Sequence, residues 1–439
     1  MTPKVGIVGG GVAGLAAAYD LTRTGHQVTL YEASDAVGGL AVGFKAPHWD
    51  WHLEQYYKHW FASDHHVLDL IREIGEGDRI FFPRPMTALW YRGAAHPLDS
   101  PLRLLRFPHL SYPEKLRMGV VLAYLRYTRW WRYLEGYRAD EWLPRFIGRR
   151  GYEVVWKPQI VNKFGEDLYR EISMAWFWAR VYKRSPRLGY FRGGFQAFVD
   201  ALADRVRAQG GEIRLRAPVE AILPRAAGGI SLQVGGEDTP FDAGIATVSP
   251  GLMGRLAPDL PPEYLGQLKE LRSLGALILV LALDRQLLEE VYWLSIPAGS
   301  APFLALVEHT NFIDRSHYGG DRLIYCGSYL SPDHRYFQMD EDGIMGEYLP
   351  ALKKFNPNFR SDWVRDAWLF RTPYAQPVVP VNYSRMIPDI QTPISGLYYA
   401  SMSQVYPWDR GTNYAVELGR KVAGLIAHSN HKHDKPGGM

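Results

Sequence analysis

The chain has 439 residues, 47% hydrophobic and 22% charged, an ordinary balance for a globular protein of two or three domains. Its formal net charge of +4 is too small to imply a nucleic-acid partner, and its single cysteine, Cys326, excludes an internal disulfide and a cysteine-based metal site. No run of about 18 uninterrupted apolar residues is present, and no small-residue cleavage site follows the first apolar strand, so neither a transmembrane helix nor a signal peptide is read.

Taken in chain order, Lys4-Val5-Gly6-Ile7-Val8 reads as a strand, Val12 to Arg23 as a helix stopped by Gly25, and Gln27 to Tyr31 as a second strand. This is the opening of a βαβ unit. From Pro47 to Arg184 prolines punctuate segments dense in Trp, Tyr, Arg and His, the composition of a cap inserted into the first domain. Its longest helical candidate is Tyr112 to Tyr137 and a second is Leu168 to Tyr182. The α/β pattern returns with a helix within Gly193 to Gln209, where Phe195, Phe198, Leu202 and Val206 form one stripe. Strands follow at Glu212–Leu215, Val219–Ile222, Ile230–Val234 and Gly244–Val248, the middle pair a hairpin. Leu274 to Leu283 reads as a central strand of a second sheet and Arg322 to Cys326 as another of its strands. Gly396 to Ala400 is a strand, Tyr414 to His428 a helix, and Ser429 to Met439 a polar tail.

Gly9-Gly10-Gly11-Val12-Ala13-Gly14 fits G-x-G-x-x-G with Gly9, Gly11 and Gly14 in register. Gly9 permits the tight turn, Gly11 lets a pyrophosphate approach the backbone, and Gly14 allows close helix–strand packing. The helix start at Val12 and Ala13 adds unpaired N–H groups. Glu32, followed by Ala33, closes the second strand 18 residues beyond Gly14, the place of a carboxylate that binds ribose hydroxyls and disfavours a 2′-phosphate. Loop and acid do not separate FAD from NAD; the double glycine Gly38-Gly39, six residues beyond the acid, is the discriminating feature.

With that block the chain resembles the flavin-containing amine oxidase superfamily, which includes protoporphyrinogen oxidases, phytoene desaturases and, more distantly, UDP-galactopyranose mutases. The family's arginines before and after the double glycine are replaced here by Val37 and Leu40, so only backbone contacts from Gly38 and Gly39 are expected there. Arg192 to Phe198 resembles the family's second block, with Val219 at the place whose backbone meets the adenine. Gly411-Thr412-Asn413 before the last helix resembles the third, which points at the pyrophosphate and ribityl chain. The resemblance implies FAD as cofactor and an α/β fold. Residues 1–46, 186–255 and 396–430 would form a Rossmann-type FAD-binding domain. Residues 47–185 and 256–395 would form a discontinuous cap on a mixed or antiparallel sheet, and 431–439 a frayed tail. Matching the strand from Leu274 to the family strand that carries the amine oxidases' lysine puts Leu279 in its place, which disfavours amine oxidation.

Tyr406-Pro407-Trp408-Asp409-Arg410 precedes Gly411 and so is expected beside the flavin ring. Asp409 is a candidate for flavin hydroxyls, Arg410 for an anion or a reduced flavin's charge, and Tyr406 and Trp408 for pocket walls. The competing readings are a surface Asp–Arg pair and plain packing. Lys157, Lys163 and Arg180 lie among the tryptophans of the insert and would suit an acidic substrate, or else are solvated surface charge. The histidines at 48, 52, 59, 65 and 66 lack a metal-binding spacing, so no metal is expected. The Tyr112–Tyr137 segment mixes Trp and Arg as an interfacial helix does, or packs as a cap. The expected location is the cytoplasm, with peripheral contact at the inner face of a membrane as an option. The functional readings are an FAD oxidoreductase acting on a C–C or C–N bond of a bulky, lipophilic small molecule, a redox-neutral isomerase or mutase, and a non-catalytic flavin-binding scaffold.

Overall fold

The computed structural model describes residues 2–433. Five parallel strands form the first sheet in the order Glu212–Arg214, Gln27–Tyr31, Lys4–Val8, Ala243–Ala246 and Leu397–Tyr399. Both of its faces are covered, which parallel strands with near-continuous apolar runs require. One face, with Val5, Ile7 and Leu30, packs on helices Val12–Arg23 and Phe195–Ala208 and on the helix Thr412–His433. The other face, with Val8 and Tyr31, packs on an antiparallel three-stranded layer and helix Pro250–Leu256. That layer comprises Val219–Pro224, Ile230–Val234 and Glu237–Phe241; the hairpin read from sequence is present, extended by a third strand.

The second sheet has seven strands in the order Val364–Pro377, Ser273–Leu283, Arg322–Leu330, Ala305–Glu308, Val291–Ser295, Met86–Tyr91 and Ala94–Pro97. All pairings are antiparallel except Val291–Ser295 with Met86–Tyr91, so the sheet is mixed. The strand Ser273–Leu283 is buried on both faces because its side chains serve two cores. Ile278, Val280 and Ala282 join the core that continues onto one face of the parallel sheet, whereas Leu277, Leu279, Leu281 and Leu283 pack toward helix Glu341–Leu352. A helical layer, residues 101–183, closes the molecule around its own core of Trp142, Phe164, Trp176, Phe177 and Trp178.

The helical layer departs from expectation at two helices. The segment Tyr112 to Tyr137 is broken into a helix at Tyr112–Tyr127 and a short one at Trp131–Leu134. Thr128 turns to extended backbone with its carbonyl accepting from Trp178 Nε1 at 3.0 Å. Arg126 donates to the carbonyl of Arg184 at 2.7 Å, capping the negative end of helix Met174–Lys183. Tertiary hydrogen bonds thus outcompete local propensity. The second candidate splits too: a helix at Lys157–Leu168 ends, a turn follows, and Ser173 restarts the chain by accepting from Ala175 N at 3.1 Å. At the far end helix continues to His433, beyond the expected limit at His428; of the tail, residues 434–439 lie outside the described residues.

Candidate active site

The first half of the site is made of backbone. Gly9 N donates to Tyr31 O at 2.9 Å, and Gly38 N donates to Gly10 O at 2.9 Å, so Gly11 and Gly38 lie side by side. A Cβ on Gly14 would stand 2.1 Å from the Gly9 carbonyl oxygen, so the helix can sit this close to the loop only with glycine there. Gly38 and Gly39 have φ of 136° and 54°, a region that L side chains rarely adopt, and a Cβ on Gly39 would come within 3.2 Å of Gly11 Cα. Gly11, as N-cap of the helix starting at Val12, brings no side-chain acceptor, so the first-turn amides of Val12, Ala13 and Gly14 face outward as orphan donors. The result is a cradle whose donors and room fit a dinucleotide diphosphate.

Glu32 crosses the mouth of that cradle. Its Oε2 accepts from Gly10 N at 2.7 Å and its Oε1 from Ser34 N at 2.9 Å and Ser34 Oγ at 2.7 Å, which fixes the carboxylate while leaving lone pairs for hydroxyl donors. Ala33 beside it is exposed. Ala217 N donates to Glu32 O at 2.9 Å, and this contact brings the start of the strand at Val219 alongside the acid. Val37 is buried and Leu40 half-buried, packed rather than offering a polar contact. Two residues not foreseen from sequence brace the loop: Thr247 Oγ1 donates to Val8 O at 3.0 Å, and Gln196 Oε1 accepts from Gly43 N at 2.9 Å while its Nε2 donates to Val37 O at 3.2 Å. Gln196 lies in the second resemblance block, which was the available signal for it.

The second half is made of side chains from distant segments. Asp409, expected to meet flavin hydroxyls, accepts from Lys163 Nζ at 3.0 Å, Arg180 NH1 at 2.8 Å and Trp176 Nε1 at 3.3 Å. Burial alone would raise its carboxyl, but Lys163, Arg180 and Arg410 outweigh it and hold the group well below the usual carboxylate range. Arg410 meets its neighbour's carboxylate only through its backbone N, which donates to Asp409 Oδ1 at 3.2 Å: its Nε donates to Gln376 Oε1 at 2.7 Å, its NH2 to Tyr329 OH, and its guanidinium lies over the Tyr329 ring. Trp408 stacks between Trp178 and Tyr414 under Lys183. Tyr406 donates its hydroxyl to Glu135 at 2.9 Å and packs on Trp131 and Tyr383. Thr412 Oγ1 accepts from Trp60 Nε1 at 2.7 Å next to the exposed Gly411, and Asn413 Oδ1 accepts from Val67 N at 3.2 Å, so that amide caps helix His65–Glu73.

Between the seven-stranded sheet and the helical layer these groups meet an aromatic wall. Tyr57 packs edge-on against Trp293 and Tyr325, and Tyr329 carries Arg410 and Lys163 on its face. Lys58, next in sequence to Tyr57 and missed from sequence, is brought down to about 7 by burial and then by Arg410, with Glu54 partly offsetting both. Glu54 is itself buried and raised to about 7 by burial, against hydrogen bonds from Phe195 N and Tyr190 OH. Lys157 is elsewhere, its ammonium 5.8 Å from the Tyr169 ring. The place given to Leu279 needs correction: it faces the outer core, and the residues of its strand that face the core shared with the parallel sheet, Ile278 and Val280, are equally apolar. Among the described residues no helix is long and apolar enough to cross a membrane and no group of three or more His, Cys, Asp or Glu is placed to hold a metal; His48 bonds Asp321 at 2.7 Å.

A family model described as flavin containing amine oxidoreductase matches residues 12–427. A carotenoid phi-ring synthase of Streptomyces griseus is 23% identical over 439 residues, covering 89% of this chain and 81% of that protein. A 15-cis-phytoene desaturase of Arabidopsis thaliana is 23% identical over 436 residues, covering 90% and 75%. A solved structure, a provisionally assigned protoporphyrinogen oxidase from Exiguobacterium sp. 255-15, superposes with a TM-score of 0.77 at 19% identity over 98% of this chain and 99% of that one. At that identity the structural likeness speaks for the fold.

Proposed function

The chain belongs to the flavin-containing amine oxidoreductase family and is a flavin oxidoreductase with FAD as its cofactor, and on that premise we propose that it removes hydride from a carbon–carbon or carbon–nitrogen bond of a bulky, lipophilic substrate. FAD, when bound, supplies the hydride acceptor. Gly9, Gly11, Val12, Ala13, Gly14, Gly38 and Gly39 would hold its diphosphate and Glu32 its ribose. Residues 1–46, 186–255 and 396–430 are assigned to the cofactor and residues 47–185 and 256–395 to the substrate.

The observation that carries the reading is the aromatic wall between the seven-stranded sheet and the helical layer, which we take as the side of a substrate chamber. It is formed by Tyr57, Trp293 and Tyr329, and the neighbouring strand carries the apolar Ile278 and Val280 where a lysine would favour amine chemistry. Such walls orient an apolar skeleton and exclude water, and Arg410, held by Gln376 and Tyr329, keeps a fixed positive charge at the chamber's edge. The names of the carotenoid relatives support a long apolar substrate. The test is an anaerobic titration of the purified holoenzyme with polyenes, porphyrinogens, amines and nucleotide sugars, following loss of the flavin's visible band. Bleaching by a polyene or porphyrinogen supports the proposal. Bleaching by amines alone would overturn its substrate side, and turnover of a nucleotide sugar only after prior reduction would mean redox-neutral chemistry instead.

The substrate's source is part of the same reading. Tyr112, Leu116, Val120, Tyr124 and Tyr127 lie along one exposed side of helix Tyr112–Tyr127, with Trp130, 71% exposed, just beyond it. Residues 101–150 hold eleven Lys and Arg against four Asp and Glu, although the whole chain holds 50 against 46. An apolar stripe with a basic surround fits the surface of an anionic bilayer, from which a lipophilic molecule can be drawn. Flotation with phosphatidylglycerol vesicles but not phosphatidylcholine vesicles, lost in a Tyr127→Ser/Trp130→Ser variant, is the expected result; equal flotation with both, or none, would refute the contact.

A further inference from the structure

The helical layer carries a depression of about 210 Å³ between the start of helix Ala139–Ile147 and the turns at either end of helix Lys157–Leu168. None of its lining residues belongs to the cradle or to the aromatic wall. One side of it is a π-helical turn, Tyr152–Trp156. Pro158 follows that turn and cannot donate to the helical ladder, and Gln159 Nε2 takes up the Val155 carbonyl at 2.7 Å. Such widened turns push side chains out of helical register and recur at functional sites. Tyr152, which opens the turn, is 5% exposed, and its hydroxyl is buried with no hydrogen-bond partner among the described residues. The groups that act on that hydroxyl are Asp140, Tyr169, Arg138 and Arg170, all lining the same depression, so the phenol is directed at this space. Burial holds it well above its usual range, and it therefore offers a neutral O–H donor that lacks an acceptor.

The acids of the depression are already paired. Asp140 accepts from Arg138 Nε at 3.1 Å and NH2 at 2.8 Å, and Glu153 accepts from Arg149 Nε at 3.0 Å. The cations left over are Lys157, its ammonium 5.8 Å from the Tyr169 ring, and Arg170, which spends its Nε on the Tyr169 hydroxyl at 3.0 Å. Neither has a carboxylate within ion-pair distance among the described residues.

We propose that Tyr152, Lys157 and Arg170 bind the phosphate group of a small phosphate ester. The donors are the Tyr152 hydroxyl, the Lys157 ammonium and the NH1–NH2 side of the Arg170 guanidinium, while Arg138 and Arg149 keep the neighbouring acids out of competition. Donors of different kinds, supplied by separate turns of the chain, suit a group with oxygens on several sides better than a flat carboxylate. The site needs neither the cofactor nor the reaction proposed for the chamber. A soluble ester and a phospholipid headgroup offer the same phosphate chemistry.

The test is calorimetric titration of the purified full-length protein, freed of unbound FAD, with inorganic phosphate, glycerol 3-phosphate and acetate at low ionic strength. Both phosphates are expected to bind at least about tenfold more tightly than acetate. Lys157→Gln/Arg170→Gln should abolish that binding. Arg129→Gln/Arg132→Gln, which removes the same charge elsewhere on the helical layer, should leave it intact. Tyr152→Phe should weaken phosphate by about fivefold to tenfold without lowering the melting temperature of the ligand-free protein, because the hydroxyl has no protein partner to lose. Acetate bound as tightly as phosphate, no binding of either phosphate, or binding that survives the Lys157/Arg170 double variant would overturn the site. So would a Tyr152→Phe protein that is less stable yet binds phosphate as before. Glycerol 3-phosphate that displaces the protein from phosphatidylglycerol vesicles would support the site with a lipid headgroup as its ligand; phosphate binding without such displacement would support it with a soluble ester.

Discussion

The cradle and the chamber solve opposite problems. The cradle around Gly9–Gly14 and Gly38–Gly39 is almost side-chain-free, and its one functional side chain, Glu32, is fixed by bonds to residues at most 22 positions away. The chamber is built from long side chains, and its central bond, Lys163 to Asp409, spans 246 positions. A backbone site can be tight without a choice of rotamers, and so is suited to a constant cofactor. A side-chain site can be re-lined without moving the chain, and so is suited to a variable substrate.

The strongest way to break this contrast is to put a side chain into the cradle. Gly14→Val places carbon atoms against the Gly9 carbonyl, where even a Cβ would stand at 2.1 Å. We expect loss of bound flavin and a lowered melting temperature, read by absorbance and thermal denaturation; retained flavin would show that the helix can move away. Next comes Asp409→Asn, which strands Lys163 and Arg180. Uncompensated charge of this kind costs about 2–4 kcal/mol, at the lower end here because Arg180 is partly solvated. Because the folded carboxyl is held below its unfolded value of 3.8, its contribution is complete above that pH and lost as pH falls through the folded value. Urea denaturation should therefore give a wild-type advantage that is constant from neutrality to about pH 4 and shrinks only below it.

Smaller effects sharpen the contrast. Glu32→Ala removes a charged acceptor worth about 1.5–3 kcal/mol, so FAD should dissociate at least about tenfold more readily, measured by retention on dialysis. Tyr406→Phe gives up one hydrogen bond to Glu135, about 1 kcal/mol of stability, with flavin content and turnover unchanged. A Tyr406→Phe enzyme that folds but does not turn over would instead give that tyrosine a part in the reaction.

The same contrast separates what is legible in the sequence from what is not. Glycine spacing and the distance to Glu32 encode backbone geometry locally, so the cradle and its parallel sheet can be read from the order of residues alone. The helices of the cap cannot, because Thr128 ends one through a bond from Trp178, and Ser173, which starts another, is held by the carbonyls of Val379 and Glu135. Asp409 and Arg410 stand out in the sequence as a charged pair at the site, but their partners lie 34 to 246 positions away, beyond any local pattern. Lys58 carries no signal in sequence at all. Its perturbed ammonium arises from burial and from Arg410, both products of tertiary packing.

The most direct measurement is the flavin content of the purified chain after reconstitution with FAD, the cofactor being released by denaturation and identified. The account predicts equimolar FAD in the wild type and none in Gly14→Val. A wild-type protein that stays colourless, or a Gly14→Val variant that binds FAD as the wild type does, would contradict it.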